Sequence, residues 1–280
     1  MTVLEVIQSA AGYLEKNGVA DARLNAEYLL AHALGKRKRL DLYLEFDRPL
    51  SDAERAPLRD LVRQRGQGIP LQHLLGSAEF FGRTFLCDGR GLIPRPETEQ
   101  LVELVQAQIP NPKSKILDVG TGSGVLAITL ALEFPEAEVH AVDVAPDALT
   151  LARENAAQLV AVERITFHQA DLLPPDAASF DVIVANLPYI ATDEIPRLSR
   201  EVQRDPLLAL DGGVDGLDLV RRLVSRAVEV LAPAGRIFLE VGHDQAQATA
   251  DLCTAAGLAH AATHRDLQGV LRFATAQRPA

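Results

Sequence analysis

The sequence predicts an α/β protein: a mainly parallel, seven-stranded sheet covered by helices on both faces, preceded by a small helical bundle. Three observations predict it. Over about the first 75 residues, apolar side chains recur at helical steps with few β-branched runs. From about residue 95, short apolar strands alternate with amphipathic segments. The first of those strands runs straight into a glycine-rich turn that opens a helix.

The bundle comes first. Val3, Val6, Ile7 and Ala10 recur at three- and four-residue steps, as do Ala26, Leu29, Leu30 and Ala33, and later Leu58, Leu61 and Val62. Asn17-Gly18, Gly35 and Arg48-Pro49 punctuate these segments. Lys36-Arg37-Lys38-Arg39 reads as a solvated turn between helices, with contact to RNA or an acidic partner as the alternative. Residues 78–87 are dense in aromatics, with turn signals at Gly82 and Asp88-Gly89, which predicts a hairpin. The expected organisation is therefore a helical domain over 1–75, a hairpin linker over 76–94 and a sheet domain over 95–280. Candidate strands are 115–119, 138–142, 165–169, 181–185, 236–241, a weak one at 260–264, and 270–275. Candidate helices are 126–134, 147–159, 217–231 and 245–256. Such sheets bind ligands beyond the carboxyl ends of their strands, where strand order reverses.

Charge narrows the function. The 280 residues carry 38 acidic and 28 basic side chains, a net charge of −10. Residues 1–90 are nearly balanced, with 13 basic and 12 acidic groups, whereas residues 91–280 hold 15 and 26. An anionic sheet domain repels phosphate backbones, which disfavours a duplex-gripping role. No apolar run approaches the roughly 18 residues of a membrane span, and the start lacks a basic segment followed by an apolar one. Cys87 and Cys253 are too few for a disulfide framework or a thiolate zinc site, and His73, His243 and His264 lack ligand spacing. No metal is expected. The expected location is the cytoplasm.

The glycine turn is Gly120-Thr121-Gly122-Ser123-Gly124. Glycines there let the backbone approach a ligand at a helix N-terminus. The next strand ends at Val142-Asp143, and a carboxylate at Asp143 can accept both hydroxyls of a ribose. Loop and acid together indicate a nucleoside-bearing cofactor without separating NAD from S-adenosylmethionine.

The fourth strand runs into Asn186-Leu187-Pro188-Tyr189. An NH2 group on an sp2 centre is a weak nucleophile, because its lone pair is delocalised. The Asn186 side-chain oxygen and the Leu187 carbonyl can each accept one of its hydrogens. They would aim the nitrogen at an electrophilic methyl and stabilise the positive charge growing on it. Tyr189 offers a flat face to a planar amide or base, and no metal is needed.

On these segments the sequence resembles the peptide chain release factor N5-glutamine methyltransferases, the PrmC/HemK family. The resemblance covers nearly the whole chain. It includes Ile93-Pro94-Arg95-Pro96-Glu97-Thr98-Glu99, Leu117-Asp118-Val119 with the glycine turn, Asp171-Leu172, and Ala209-Leu210-Asp211-Gly212-Gly213-x-Asp215-Gly216-Leu217. Glu240-x-Gly242-x-x-Gln245 and Asp266-Leu267-x-Gly269-x-x-Arg272 complete it. The resemblance implies a Rossmann-like S-adenosylmethionine-dependent methyltransferase domain. By it, Gly120, Thr121, Gly122, Ser123 and Gly124 hold the methionine end of the cofactor, Asp143 its ribose, and Asp171 and Leu172 border the adenine, with Asn186 also beside the cofactor. Asn186, Leu187, Pro188 and Tyr189 bind the substrate, Asn186 and Tyr189 being the catalytic pair. The implied substrate is the glutamine of the Gly-Gly-Gln loop in bacterial class I release factors, methylated to modulate translation termination. Residues 1–75 would contact the release factor.

Two positions depart from the family pattern. Leu187 stands where the family has proline; a carbonyl is retained and stiffness falls. Asp205-Pro206 stands where Glu-Pro is usual, which puts any close contact there in question. The main alternative is an adenine-N6 methyltransferase acting on DNA or RNA, since the same turn suits an exocyclic amine. A nicotinamide dehydrogenase would leave residues 186–189 idle.

Overall fold

Thr2 and Ser51 each start a helix in the same way: the hydroxyl accepts from the amide three residues on, and a glutamate there reaches back to the cap. The computed structural model describes residues 1–36, 38–109, 111–159, 161–177 and 179–280. Arg37 of the basic turn lies outside them. Contacts divide the chain into two units, Met1–Ser77 with Ser199–Arg204, and Ala78–Leu198 with Asp205–Ala280.

In the first unit α1 (Val3–Lys16), α2 (Ala22–Ala33), α3 (Asp52–Gly66) and α4 (Leu71–Leu75) enclose an apolar centre that includes Ile7, Leu14, Leu29, Leu30 and Leu42. Buried Arg65 donates to Asn25 at 2.7 Å and to Glu201 at 2.7 Å, which fastens the 199–204 segment to these helices. Glu27, also buried, is satisfied by Arg23, Arg39 and Tyr43.

The second unit opens with a hairpin, β1 (Ser77–Phe80) and β2 (Arg83–Leu86), whose Phe80 and Phe85 rings meet edge to face. There follow α5 (Pro96–Gln108), β3 (Lys115–Val119), α6 (Val125–Glu133), β4 (Glu138–Asp143), α7 (Pro146–Gln158), β5 (Ile165–Gln169) and β6 (Phe180–Asn186). The chain ends with α8 (Asp218–Val230), β7 (Leu231–Glu240), α9 (Ala246–Ala255), β8 (Ala259–Arg265) and β9 (Leu271–Gln277). Strand order is β5-β4-β3-β6-β7-β9-β8, with β9 antiparallel to both neighbours. The fold expected from sequence is the one found.

Adjacent strand residues serve opposite faces. Ile116, Val182 and Phe238 pack with α5 and α6, while Leu117, Ile183 and Leu239 pack with α8. Burial on both faces explains the unbroken apolar runs. Register then fixes the site: Val119 lies level with Val142 and with Ala185, and Asn186 with Glu240. Gly120, Asp143 and Asn186 therefore leave the sheet along one edge, at the reversal of strand order between β3 and β6.

Two strands differ from expectation. β7 begins at Leu231, five residues before the expected start, and the register slips between Phe180 and Val182. The Pro233-Ala234-Gly235 stretch reads as a turn, and Ala234 indeed has φ 62°, yet the strand continues through it. β8 is an irregular edge strand with alternating exposure, so its apolar signal is weak. No described helix is long and apolar enough to cross a membrane.

Candidate active site

The edge carrying Gly120, Asp143 and Asn186 opens into a cleft of about 1020 Å³, counting the space at its mouth. Of the residues expected to hold cofactor, Gly120, Thr121, Gly122, Ser123, Asp143, Asp171, Leu172 and Asn186 all line it. So do Leu187 and Pro188. Gly124 and Tyr189 sit apart from the cleft wall. Gly124 caps α6 in the left-handed conformation and backs onto Ala152, while Tyr189 is partly buried behind the turn.

The loop is held from two sides. Asp143 accepts from the Gly122 amide at 2.9 Å through one oxygen and from the Ala145 amide at 2.9 Å through the other. It is not the N-cap of α7, which is Ala145. Asp118, fully buried, accepts from the Thr121 hydroxyl at 2.6 Å and from the Ala127 amide at 3.1 Å, joining loop to helix. Burial pushes its pKa up to about 7 against those two bonds, with Asp143 adding repulsion.

A raised carboxyl pKa means that the folded state binds more protons than the unfolded chain between the two pKa values. Stability from Asp118 is thus fully present only below the ordinary carboxylate pKa of about 4, declines as pH rises above it, and is lost once pH passes about 7. Asp118→Asn keeps an acceptor for Thr121 and Ala127 but cannot titrate. Denaturant unfolding at pH 6 and pH 8 should show the variant gaining about 1 kcal/mol on the parent at the higher pH. A stability difference independent of pH would show that Asp118 does not titrate in this range.

Three of the segments quoted for the family resemblance meet at residues 186–189, through Thr98, Gly212 with Gly216, and Gln245. Gln245 donates to the Tyr189 carbonyl at 2.9 Å and accepts from the Gly242 amide at 2.9 Å. The Gly-Gly-x-Asp-Gly loop presses on the same turn: a Cβ on Gly216 would stand 2.1 Å from the Tyr189 carbonyl oxygen, and one on Gly212 2.6 Å from that of Pro188. No side chain fits at either position. Leu187 is buried, its Cδ2 occupying the space that a Cβ on Gly120 would need. Asp205 accepts from Arg95 at 2.8 Å, so the shorter acid still makes an ion pair; burial raises its pKa to about 6 although Arg95 opposes this.

Sequence reasoning passed over three buried polar groups: Asp118, Thr98 and Glu240. Asp118 and Glu240 had a signal, each being an acid inside or at the end of an otherwise apolar strand. Among the described residues no cluster of histidine, cysteine, aspartate or glutamate could hold a metal.

Residues 5–76 match the PrmC N-terminal domain, and residues 116–205 match a methyltransferase domain. The release factor glutamine methyltransferase of Geobacter sulfurreducens is 40% identical over 273 residues, covering 97% of this chain and 95% of its own. The chain belongs to the release factor glutamine methyltransferase family. The family member of Moorella thermoacetica is 42% identical over 260 residues, covering 92% of this chain and 91% of its own. That of Deinococcus radiodurans is 39% identical, with 99% of each chain covered. A solved methyltransferase from Pyrococcus furiosus shares the fold, with a TM-score of 0.55 at 17% identity, covering 72% of this chain and 91% of that one. The methyltransferase assignment and the family resemblance are both borne out.

Proposed function

We propose that the protein transfers a methyl group from S-adenosylmethionine to the side-chain amide nitrogen, N5, of the glutamine in the Gly-Gly-Gln loop of bacterial class I release factors. The observation that carries this reading is the placement of Asn186 and Leu187 on the same cleft as the glycine loop and Asp143. The cleft suits the cofactor. The loop leads into the N-terminus of α6, and Asp143 keeps a free lone pair on each oxygen for a hydroxyl.

Bound there, S-adenosylmethionine would supply an electrophilic methyl on sulfur and, once its S–CH3 bond breaks, would leave as S-adenosylhomocysteine. The chain's own residues prepare the acceptor. The Asn186 oxygen and the Leu187 carbonyl take the two N–H bonds of the substrate amide and hold its nitrogen toward the methyl. Both bonds strengthen as the nitrogen becomes cationic, which lowers the barrier. Water can take the departing proton, because an N-alkylated amide is strongly acidic. Tyr189, held at its carbonyl by Gln245 and closely approached by Gly216, braces the turn. In this reading the helical unit contacts the release factor, and methylation modulates translation termination in the cytoplasm.

The test is to incubate the protein with methyl-labelled S-adenosylmethionine and either a class I release factor or DNA. Label should appear on the Gly-Gly-Gln glutamine. Label on adenine instead would replace this reading with a nucleic-acid methyltransferase.

A further inference from the structure

Asn186 and Glu240 are register partners on the parallel strands β6 and β7, so their side chains stand side by side on the face covered by α5. Glu240 is only 2% exposed, and among the described residues no basic group pairs with it at ion-pair distance. Thr98, equally buried, comes from the first turn of α5, inside the Pro-Arg-Pro-Glu-Thr-Glu segment. The Asn186 Nδ2 donates to Thr98 Oγ1 at 3.0 Å. The Thr98 and Asn186 side chains are the donors that favour the ionised form of Glu240, while its Oε2 is buried without a well-formed hydrogen bond.

A hydroxyl has one proton, and a carboxylate has none to give. With Glu240 ionised, protons in this cluster run one way: from the Asn186 amide to Thr98, and from both toward Glu240. The nitrogen end of Asn186 is thereby committed to the interior. Its oxygen is left for the cleft.

We propose that Glu240 is a positioning residue for methyl transfer, acting with Thr98 to fix the Asn186 side-chain amide with its oxygen toward the substrate. This rests on the proposed role of Asn186 as acceptor. An ionised group at the end of the chain also polarises the Asn186 amide and makes its oxygen a better acceptor. Protonation undoes both effects. A neutral carboxyl can donate, the Thr98 hydroxyl can then turn to the Asn186 oxygen, and the amide orientation is no longer dictated. The groups facing Glu240 are Arg272 on β9, which favours its ionised form, Glu97 on α5, which opposes it, and Tyr189 beyond the turn. Burial outweighs them and raises its pKa to about 7, so the switch falls near neutral pH.

Glu240→Gln keeps the shape and supplies the wrong donor. Single-turnover methyl transfer to the release factor at saturating S-adenosylmethionine should slow about tenfold at pH 8, with cofactor affinity unchanged. The parent rate should also decline as pH falls through about 7, and that decline should vanish in Glu240→Gln. Thr98→Val should lose as much, and Thr98→Ser should recover most of the rate. A substrate-free readout is the side-chain amide resonance pair of Asn186 in an isotope-labelled sample, which should shift between pH 8 and 6 in the parent and stay fixed in Glu240→Gln. A folded Glu240→Gln with the parental rate and pH profile overturns the proposal, as do Asn186 resonances indifferent to Glu240. Failure of the parent itself to methylate a release factor would speak against the substrate assignment, and the resonances would still decide the role of Glu240.

Discussion

Asn186→Ala should reduce the single-turnover rate of methyl transfer by roughly 10²–10³, the usual cost of losing one preorganised polar contact to developing charge. The loss should fall on kcat more than on KM, because the bond to the substrate N–H matters most when the nitrogen is cationic. S-adenosylmethionine affinity should change little: the glycine loop and Asp143 remain, and Asn186 only borders that part of the cleft. The ends of β6 and β7 should also survive, since Thr98 can still serve Glu240. Asn186→Asp is not a conservative control here. It would set a second carboxylate beside Glu240, and the pair would share a proton. A folded Asn186→Ala enzyme with the parental rate would mean that the methyl acceptor is held elsewhere.

The contrast between Asn186 and its supporting groups shows what a sequence makes legible. Gly120, Asp143 and Asn186 stand at the ends of three apolar strands, so strand periodicity alone places them on one sheet edge. Register needs one further step, the pairing of Val119 with both Val142 and Ala185, which the strand pattern does not state. The reach of Thr98 is a different matter. It lies 88 residues before Asn186, and nothing local tells that α5 packs its first turn over the end of β6. Likewise Gln245 touches the Tyr189 carbonyl from 56 residues away. Motif resemblance flagged both segments without saying what they do; tertiary packing supplies the reason. The missed start of β7 has the opposite cause. Pro233 and Gly235 carry a strong local turn signal, and pairing with β6 overrides it.

Asp143→Ala should weaken S-adenosylmethionine binding by roughly 10–100-fold, or about 1.4–2.7 kcal/mol. Two losses contribute. One is direct: a carboxylate that accepts ribose hydroxyls makes charge-assisted hydrogen bonds, roughly twice as strong as neutral ones. The other is through the loop, because the same carboxylate holds the Gly122 and Ala145 amides at 2.9 Å each. The two can be separated. Calorimetric titration reads the total loss of affinity, and thermal unfolding without ligand reads the loop support alone. Asp143→Asn divides them further, since its amide oxygen can keep one backbone bond while its NH2 group faces the other donor. If ligand-free stability is unchanged and affinity still falls, the direct contact to the ribose dominates. If both fall together, Asp143 acts chiefly as the brace of the glycine loop. Parental affinity in a folded Asp143→Ala protein would remove the residue from the cofactor site and leave loop support as its whole role.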